Sequence, residues 1–242
     1  MDKQVIQERE YVFPYHHLPE LDGHQVVRPG RTLFWCLDWA NYMFKVMEYL
    51  QRYQPRSLLD VGCGDGRLFT LVEHIPVLVG VDVSARALAF ASAFNPGAVF
   101  VHGTVDDVEG TFDAITLIEV IEHIPDDGIP HLVQSLDRRL KEQGVVIVSV
   151  PTINSPLSSK HYRHYTLPLL VSHMAPLKLV EYSFVSAKGW QAWLLRHMLA
   201  NRLYTLNHEG LVALISRLSR RWTYRGSEKT GLHLVATFRK KD

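Results

Sequence analysis

From residue 57 onward, short runs of β-branched and aliphatic residues alternate with longer stretches in which apolar side chains recur every three or four positions. Alternation of that kind predicts a parallel sheet covered by helices on both faces. SLLDVG (57–62), VLVGVDV (77–83), AVFVHG (98–103), DAITLIEV (113–120) and VVIVSVP (145–151) read as five successive strands. The intervening RLFTLVEHI, SARALAFASAF and IPHLVQSLDRRLKEQ carry helical spacing. Ser84 is placed to cap the second of these helices, and Gly144 to stop the third near Gln143. Thr166 can cap a further helix, TLPLLVSHM, whose Pro168 is tolerated in the first turn. KLVEYSFVSA (178–187) and GLHLVATFR (231–239) then predict an antiparallel edge pair. The segment between them is too long for a structureless loop. WQAWLLRHMLANRLY and EGLVALISRLSRRW within it have amphipathic patterns, so 189–228 is expected to be a helical insertion. The predicted fold class is therefore α/β: doubly wound, mostly parallel and seven-stranded, with an antiparallel edge at the C-terminal end.

Upstream of the first strand, LFWCLDWANYMFKVMEYLQRY predicts a helix packed on the sheet. EYVFPYHHLPELDG, ahead of it, is rich in aromatic residues, histidine and proline; Tyr11, Phe13, Tyr15, His16 and His17 suggest an ordered arm near a site. Residues 1–56 are read as arm and helix, and 57–242 as the core.

Composition supports one domain of this size: 242 residues, 47% hydrophobic and 21% charged, suffice for a full core. No run approaches the roughly 18 apolar residues of a membrane span, and MDKQVIQEREYVF is too charged for a secretory leader, which predicts a cytoplasmic protein. Cys36 and Cys63 cannot build a disulfide framework and belong to no C-x-x-C pair. Charge is unevenly spread. Residues 1–185 hold 15 Lys and Arg against 22 Asp and Glu, whereas 186–242 hold 11 against 3. A basic tail can face phosphate, nucleic acid or an anionic membrane, but a solvated basic face is the preferred reading.

The most specific local signal is LLDVGCGDGRL, in which Gly62, Gly64 and Gly66 follow an apolar strand and precede a helical pattern. Glycines there let backbone approach a ligand that side chains would block. Asp60 lies just before the turn, and Asp82 ends the second strand about 20 residues on, placed to accept hydrogen bonds from two ribose hydroxyls. D-V-G-C-G-D-G-R followed by G-V-D-V-S resembles the class I S-adenosylmethionine-dependent methyltransferases, which have a Rossmann-like sheet. A nicotinamide dehydrogenase carries G-x-G-x-x-G, and here Arg67 takes the place of the third glycine. The wider turn serves a pyrophosphate, which S-adenosyl-L-methionine lacks.

The resemblance implies that S-adenosyl-L-methionine is the cofactor, that backbone around Gly62, Cys63 and Gly64 lines its methionine half, and that Asp82 and Val83 hold its ribose. Cys63 then fills a small variable position and needs no reactivity. The family's adenine contact falls in HGTVDDV, where Thr104 stands in the place of the usual acid, with Val105 next; Asp106 and Asp107 can equally cap a turn. Asp60 and Glu119 complete the expected cofactor set.

After the fourth strand, ITLIEVIEHIP places Glu119, Glu122 and His123 where ligands meet an open α/β sheet. SSKHYRHYT, after the fifth strand, brings His161 and His164 to the same edge. Three readings stay open for this catalytic set. His123 or His161 is a general base for the methyl acceptor; or Glu119, Glu122, His123 and His161 bind a divalent cation; or the acids shape the cofactor pocket while the histidines pack. No metal is assigned. E-x-x-E-H with a later H-x-x-x-x-T resembles small-RNA 2′-O-methyltransferases, which hold a metal through such residues. Ile124 and R-H-Y-T stand where those enzymes show a second histidine and F-E-W-T. E-x-x-E-H is similar to ubiquinone-pathway O-methyltransferases too, and R-H-Y-T to small-molecule and sugar methyltransferases.

The preferred function is methyl transfer to an oxygen or nitrogen of a small molecule. A metal-dependent RNA 2′-O-methyltransferase is the alternative, and a noncatalytic cofactor-binding protein the third. Trp190, Trp193, Leu194 and Leu195, interleaved with Arg196, Arg202, Arg217, Arg220 and Arg221, can serve as a lid, a peripheral membrane contact or an RNA face, or can pack on the core or a second subunit. A monomer or homodimer is expected.

Overall fold

The computed structural model describes residues 20–21, 27–28, 33–200 and 208–241; the aromatic arm residues Tyr11 to His17 and Arg202 lie outside them. Helix α1 (Leu33–Tyr53) leads into strand β1 (Ser57–Val61). There follow β2 (Val77–Asp82), α2 (Ala85–Phe94), β3 (Val99–His102), β4 (Phe112–Ile118), α3 (Ile129–Arg139), β5 (Leu140–Pro151), α4 (Leu167–His173) and β6 (Lys178–Ala187). Helices α5 (Trp190–Leu199) and α6 (Glu209–Thr223) precede the last strand, β7 (Gly231–Arg239).

The seven strands lie in the order β3-β2-β1-β4-β5-β7-β6. All pairings from β3 to β5 are parallel, and β7 runs antiparallel between β5 and β6. The chain thus forms the doubly wound, Rossmann-like sheet with an antiparallel edge that its hydrophobic pattern predicts. The order reverses between β1 and β4. Such a switch point opens a crevice beyond the strand carboxyl ends, and that is where the site lies.

Alternation along the strands sorts side chains to two cores. Leu58, Ala114, Val145, Ile147 and Val235 meet Tyr42, Met43, Val46 and Tyr49 of α1. Leu59, Val61, Ile115, Leu117, Val146 and Val148 meet Ile129, Val133 and Leu136 of α3 and Leu170 of α4. Burial on both faces explains why the central strands read as continuous apolar runs. Two predicted caps are present: Ser84 Oγ accepts from Ala87 N at 3.1 Å, and Thr166 Oγ1 from Leu169 N at 3.3 Å.

Two local expectations are corrected. Over RLFTLVEHI there is a single 3-10 turn, Phe69–Leu71, in place of a helix. Leu68, Phe69, Val72 and Ile75 are still buried, so the spacing reports burial, while Pro76 disfavours helical backbone at the residue before it. The third helix ends at Arg139, and β5 begins at Leu140. Leu140 pairs with Phe112, the next paired residue is Val145, and 141–144 bulge between them. Burying Leu140 contributes about 1.5–3 kcal/mol, more than another half turn of helix offers. Gly144 does not stop a helix; a Cβ there would lie 2.7 Å from Leu140 Cδ1, so its role is close packing over that side chain. Among the described residues, no helix is long and apolar enough to cross a membrane.

Candidate functional site

The glycine turn owes its shape to backbone conformations that other residues avoid. Gly62, Gly64 and Gly66 have φ of +70°, +53° and +72°. Gly62 N and Cys63 N both donate to Val81 O, at 2.8 and 3.1 Å, which folds the turn back over β2. Asp82 completes the fold-back: Gly64 N donates to its Oδ2 at 2.9 Å and Ser84 N to its Oδ1 at 2.8 Å. Asp82 also lines the larger of two cavities, which puts its carboxylate within reach of a ligand there.

Asp60 is buried behind the turn, where Thr116 Oγ1 donates to its Oδ1 at 2.7 Å. Burial, aided by the nearby Asp82 charge and opposed by the Thr116 hydrogen bond, pushes its pKa up to about 7. Cys63 is buried against Gly80, whose added Cβ would lie 2.8 Å from its Sγ. Desolvation raises its thiol pKa, so it is a packing thiol and no nucleophile.

A cavity of about 560 Å³ opens at the strand ends, with Gly62, Asp82, Val83, Thr104, Val105 and Glu119 on its walls. Asp60, Cys63 and Gly64 are absent from those walls. Thr104 caps the 3-10 turn Val105–Asp107 in a capping box with Asp107: Thr104 N donates to Asp107 Oδ2 at 2.8 Å, and Asp106 N to Thr104 Oγ1 at 3.4 Å. Asp106 faces α3, accepting from Ser135 at 2.6 Å and Arg138 at 2.8 Å, which hold its carboxyl below the usual range. The hydroxyl of Thr104 is thus engaged locally, and Val83 and Val105 present the apolar surface there.

A second cavity of about 260 Å³ adjoins the first, with Glu119 and His123 lining both. Glu119 is a non-glycine residue at φ +57°, a conformation that costs about 1–3 kcal/mol. Three bonds hold it there. Glu119 N donates to Ser149 O at 2.9 Å; Ser149 Oγ and His233 Nδ1 donate to its Oε1 at 2.6 and 3.2 Å. His233 Nε2 lies 3.5 Å from Asp38 Oδ2. Burial works against a charged ring, but Glu119 and Asp38 outweigh it and push the His233 pKa up to about 10. Burial likewise opposes ionisation of Glu119, and the adjacent His233 charge outweighs it, holding the carboxyl below its ordinary value.

Glu122, His123 and His161 come together at the smaller cavity, offering ligand atoms within 4.8 Å of one another. Glu122 is 1% exposed, and neither of its carboxyl oxygens has a hydrogen-bond partner among the described residues. Burial, then repulsion from Glu119, raises its pKa well above the carboxylate range. His123 Nδ1 donates to Lys160 O at 3.2 Å, and its Nε2 lies 3.9 Å from Glu122 Oε1. His164 Nδ1 donates to Ser155 O at 3.1 Å, so His164 Nε2 accepts from His161 Nδ1 at 2.8 Å. That relay sets the His161 tautomer, with the lone pair on Nε2. Burial and the neighbouring His123 and His164 lower the His161 pKa to about 3.

The predicted acceptor-side residues therefore separate: Glu122, His123 and His161 form one cluster, Glu119 is tied to His233, and His164 bonds to His161 from a place on neither cavity wall. A family model described as a methyltransferase domain matches residues 32–221. The chain belongs to the methyltransferase-domain family. The methyltransferase is 28% identical over 131 residues to a small RNA 2′-O-methyltransferase of Rattus norvegicus, covering 46% of this chain and 33% of that one. It is 34% identical over 113 residues to a ubiquinone biosynthesis O-methyltransferase of Glaesserella parasuis, covering 41% of this chain and 46% of that one. It thus spans less than half the length of either relative. Among solved structures, the N-methyltransferase NodS of Bradyrhizobium japonicum, in complex with S-adenosyl-L-homocysteine, is similar over 100% of both chains, with a TM-score of 0.63 at 13% identity. The magnesium protoporphyrin IX methyltransferase of Synechocystis follows at 0.62 and 11%, covering 99% of this chain and 100% of that one. At such identities the likeness is one of fold.

Several residues of the candidate site escape a reading of motifs. Asp38, Trp39 and Tyr42 of α1, Lys160, and His233 of β7 all line the smaller cavity. The available signal is a polar residue inside an apolar run: Asp38 in LFWCLDWANYMF and His233 in GLHLVATFR. At the turn itself, a Cβ on Gly62 would lie 2.5 Å from Val120 Cγ2. Gly62→Ala is expected to destabilise the fold by about 1–3 kcal/mol through clash and strain, read as a lower chemical-denaturation midpoint with unchanged slope.

Proposed function

We propose that this methyltransferase moves the methyl group of S-adenosyl-L-methionine to an oxygen or nitrogen of a small polar metabolite. The observation that carries this is the pair of adjoining cavities sharing Glu119 and His123: one fits a nucleoside cofactor, and the other is small and lined by polar groups. The cofactor fits the residues present. Asp82 offers a buried carboxylate at the wall, and a side chain at Gly62 would collide with Val120. When bound, S-adenosyl-L-methionine supplies a methyl group already attached to a good leaving group, so the chain's task is alignment and exclusion of water.

In this reading the backbone around Gly62 and Gly64 receives the methionine half and Asp82 the ribose hydroxyls. Val83, Thr104 and Val105 frame the adenine, the valines by apolar contact. Glu119 and His123 sit at the junction, where the acceptor meets the methyl group. His123 Nε2 takes the acceptor's proton; His161, with its pKa lowered, is a poor base but a well-oriented hydrogen-bond acceptor. Residues 57–242 serve as the catalytic core with the insertion 189–228, and 1–56 contribute the arm and α1. We place the enzyme in the cytoplasm, as a monomer or homodimer.

One observation favours a second reading, metal-dependent RNA 2′-O-methylation. Glu122, His123 and His161 suit a divalent cation by donor type and spacing, although Glu119 is engaged elsewhere. Methyl-labelled cofactor, incubated with a low-mass metabolite extract or with small RNA, each with and without EDTA, tests the choice. Label in the metabolite fraction, insensitive to EDTA, is expected. Label in RNA that EDTA abolishes overturns the first reading for the second, and cofactor uptake without transfer to either pool makes the protein a noncatalytic binder.

A further inference from the structure

We propose that His233 is a positioning residue for Glu119, tying its carboxylate to Asp38 on α1 and so fixing the wall shared by the two cavities. The proposal rests on the reading of those cavities given above. His233 stands on β7 opposite Pro151 of β5 and Val185 of β6. Val235, two residues on and on the same face of the strand, packs in the core beneath α1. A polar ring on that face therefore meets α1 directly. It lies against the Tyr42 ring, with centroids 4.6 Å apart.

The two imidazole nitrogens diverge, and each finds a carboxylate. Nδ1 is 3.2 Å from Glu119 Oε1, and Nε2 is 3.5 Å from Asp38 Oδ2. Ser149 Oγ donates to the same Glu119 oxygen at 2.6 Å, so two donors set the carboxylate's orientation. Glu119 needs such restraint because its backbone sits at φ +57°. It also begins the short segment that carries Glu122 and His123. Loosening Glu119 thus loosens the junction where donor and acceptor meet, while the surface around Asp82 stays as it is. His233 lines the smaller cavity and is absent from the walls of the larger one, where Gly62 and Asp82 stand.

Two conservative variants separate the two ends of the tie. The amide nitrogen of asparagine overlays Nδ1 of a histidine, and that of glutamine overlays Nε2. His233→Asn therefore keeps the bond to Glu119, whereas His233→Gln keeps the one to Asp38. Amide hydrogen exchange at residues 119–123, transfer of labelled methyl into the low-mass extract, and calorimetric affinity for S-adenosyl-L-homocysteine are measured on the full chain. In His233→Gln, exchange at Glu119 is expected to quicken at least ~10-fold. Methyl transfer falls ~100-fold, while affinity for the cofactor product changes less than ~3-fold. His233→Asn, which keeps the bond to Glu119 but loses the anchor on Asp38, is expected to fall between parent and glutamine variant, with exchange at Glu119 quickened ~3-fold and methyl transfer lowered ~10-fold. Equal losses in the two variants, or a better-performing glutamine, overturn the proposal and leave His233 as a structural bridge. Should either variant fail to fold, Asp38→Ala reads the same tie from its far end. Quickened exchange at Glu119 supports the proposal, and unchanged exchange overturns it. A parent chain that takes up no S-adenosyl-L-homocysteine contradicts the proposed function instead, and the exchange comparison still decides the tie.

Discussion

Replacing Asp82 with alanine is expected to weaken binding of S-adenosyl-L-homocysteine about a thousandfold, because hydrogen bonds to a charged group are worth roughly 1.5–3 kcal/mol each and two ribose hydroxyls depend on this carboxylate. The same change removes the acceptor for Gly64 N and Ser84 N, so the glycine turn loses one of its two anchors on β2. Water can enter the open cavity and recover part of that loss, so the turn loosens without unfolding. Asp82→Asn keeps one carbonyl oxygen but turns an amide N–H₂ toward a backbone donor, and an intermediate loss of about 10–100-fold is expected. Equilibrium dialysis with labelled S-adenosyl-L-homocysteine reads both. Parent-like affinity in Asp82→Ala contradicts the assignment of the ribose to this residue.

Glu122→Gln is expected to make the folded chain more stable at neutral pH. The carboxyl is buried, with no hydrogen-bond partner among the described residues, and burial with the Glu119 charge beside it raises its pKa well above normal. An acid whose pKa is raised on folding binds more protons in the native than in the unfolded state. Its penalty is therefore absent at pH values below its unfolded pKa, near 4.3, and grows as pH rises toward its folded value. The glutamine variant escapes that penalty. At neutral pH, in EDTA, it should be the more stable of the two, because only the acid must bind a proton to fold. Denaturation curves at pH 4 and pH 7 check the sign: the two proteins converge at the lower pH and separate at the higher. A glutamine variant less stable at pH 7 contradicts this account of the buried acid.

How much of this was legible in advance follows from where each signal resides. Strand alternation is a local property imposed by two buried faces, and β6, β7 and α1 begin and end where their patterns predict. The glycine turn is local too, since positive φ at three closely spaced residues is adopted without strain only by glycines. The failures came where a local pattern competes with tertiary packing. RLFTLVEHI has helical spacing but only a 3-10 turn, and Leu140 leaves its helix to fill the core. The acceptor side was only partly legible because it is assembled from segments distant in the chain: α1, the segment after β4, the loop before α4, and β7. Glu122, His123 and His161 stand in motifs and can be found. Asp38 and His233 look like single polar interruptions of apolar elements, and only the sheet order, which sets β7 beside β5, brings them to Glu119.

The central claim is that the cavity beside Asp82 is built for a sulfonium nucleoside. Titration calorimetry of the full chain against S-adenosyl-L-homocysteine and, separately, a nicotinamide dinucleotide tests it most directly. The account predicts saturable uptake of one S-adenosyl-L-homocysteine per chain and no heat from the dinucleotide. Tight uptake of the dinucleotide, with none of the thioether nucleoside, contradicts it.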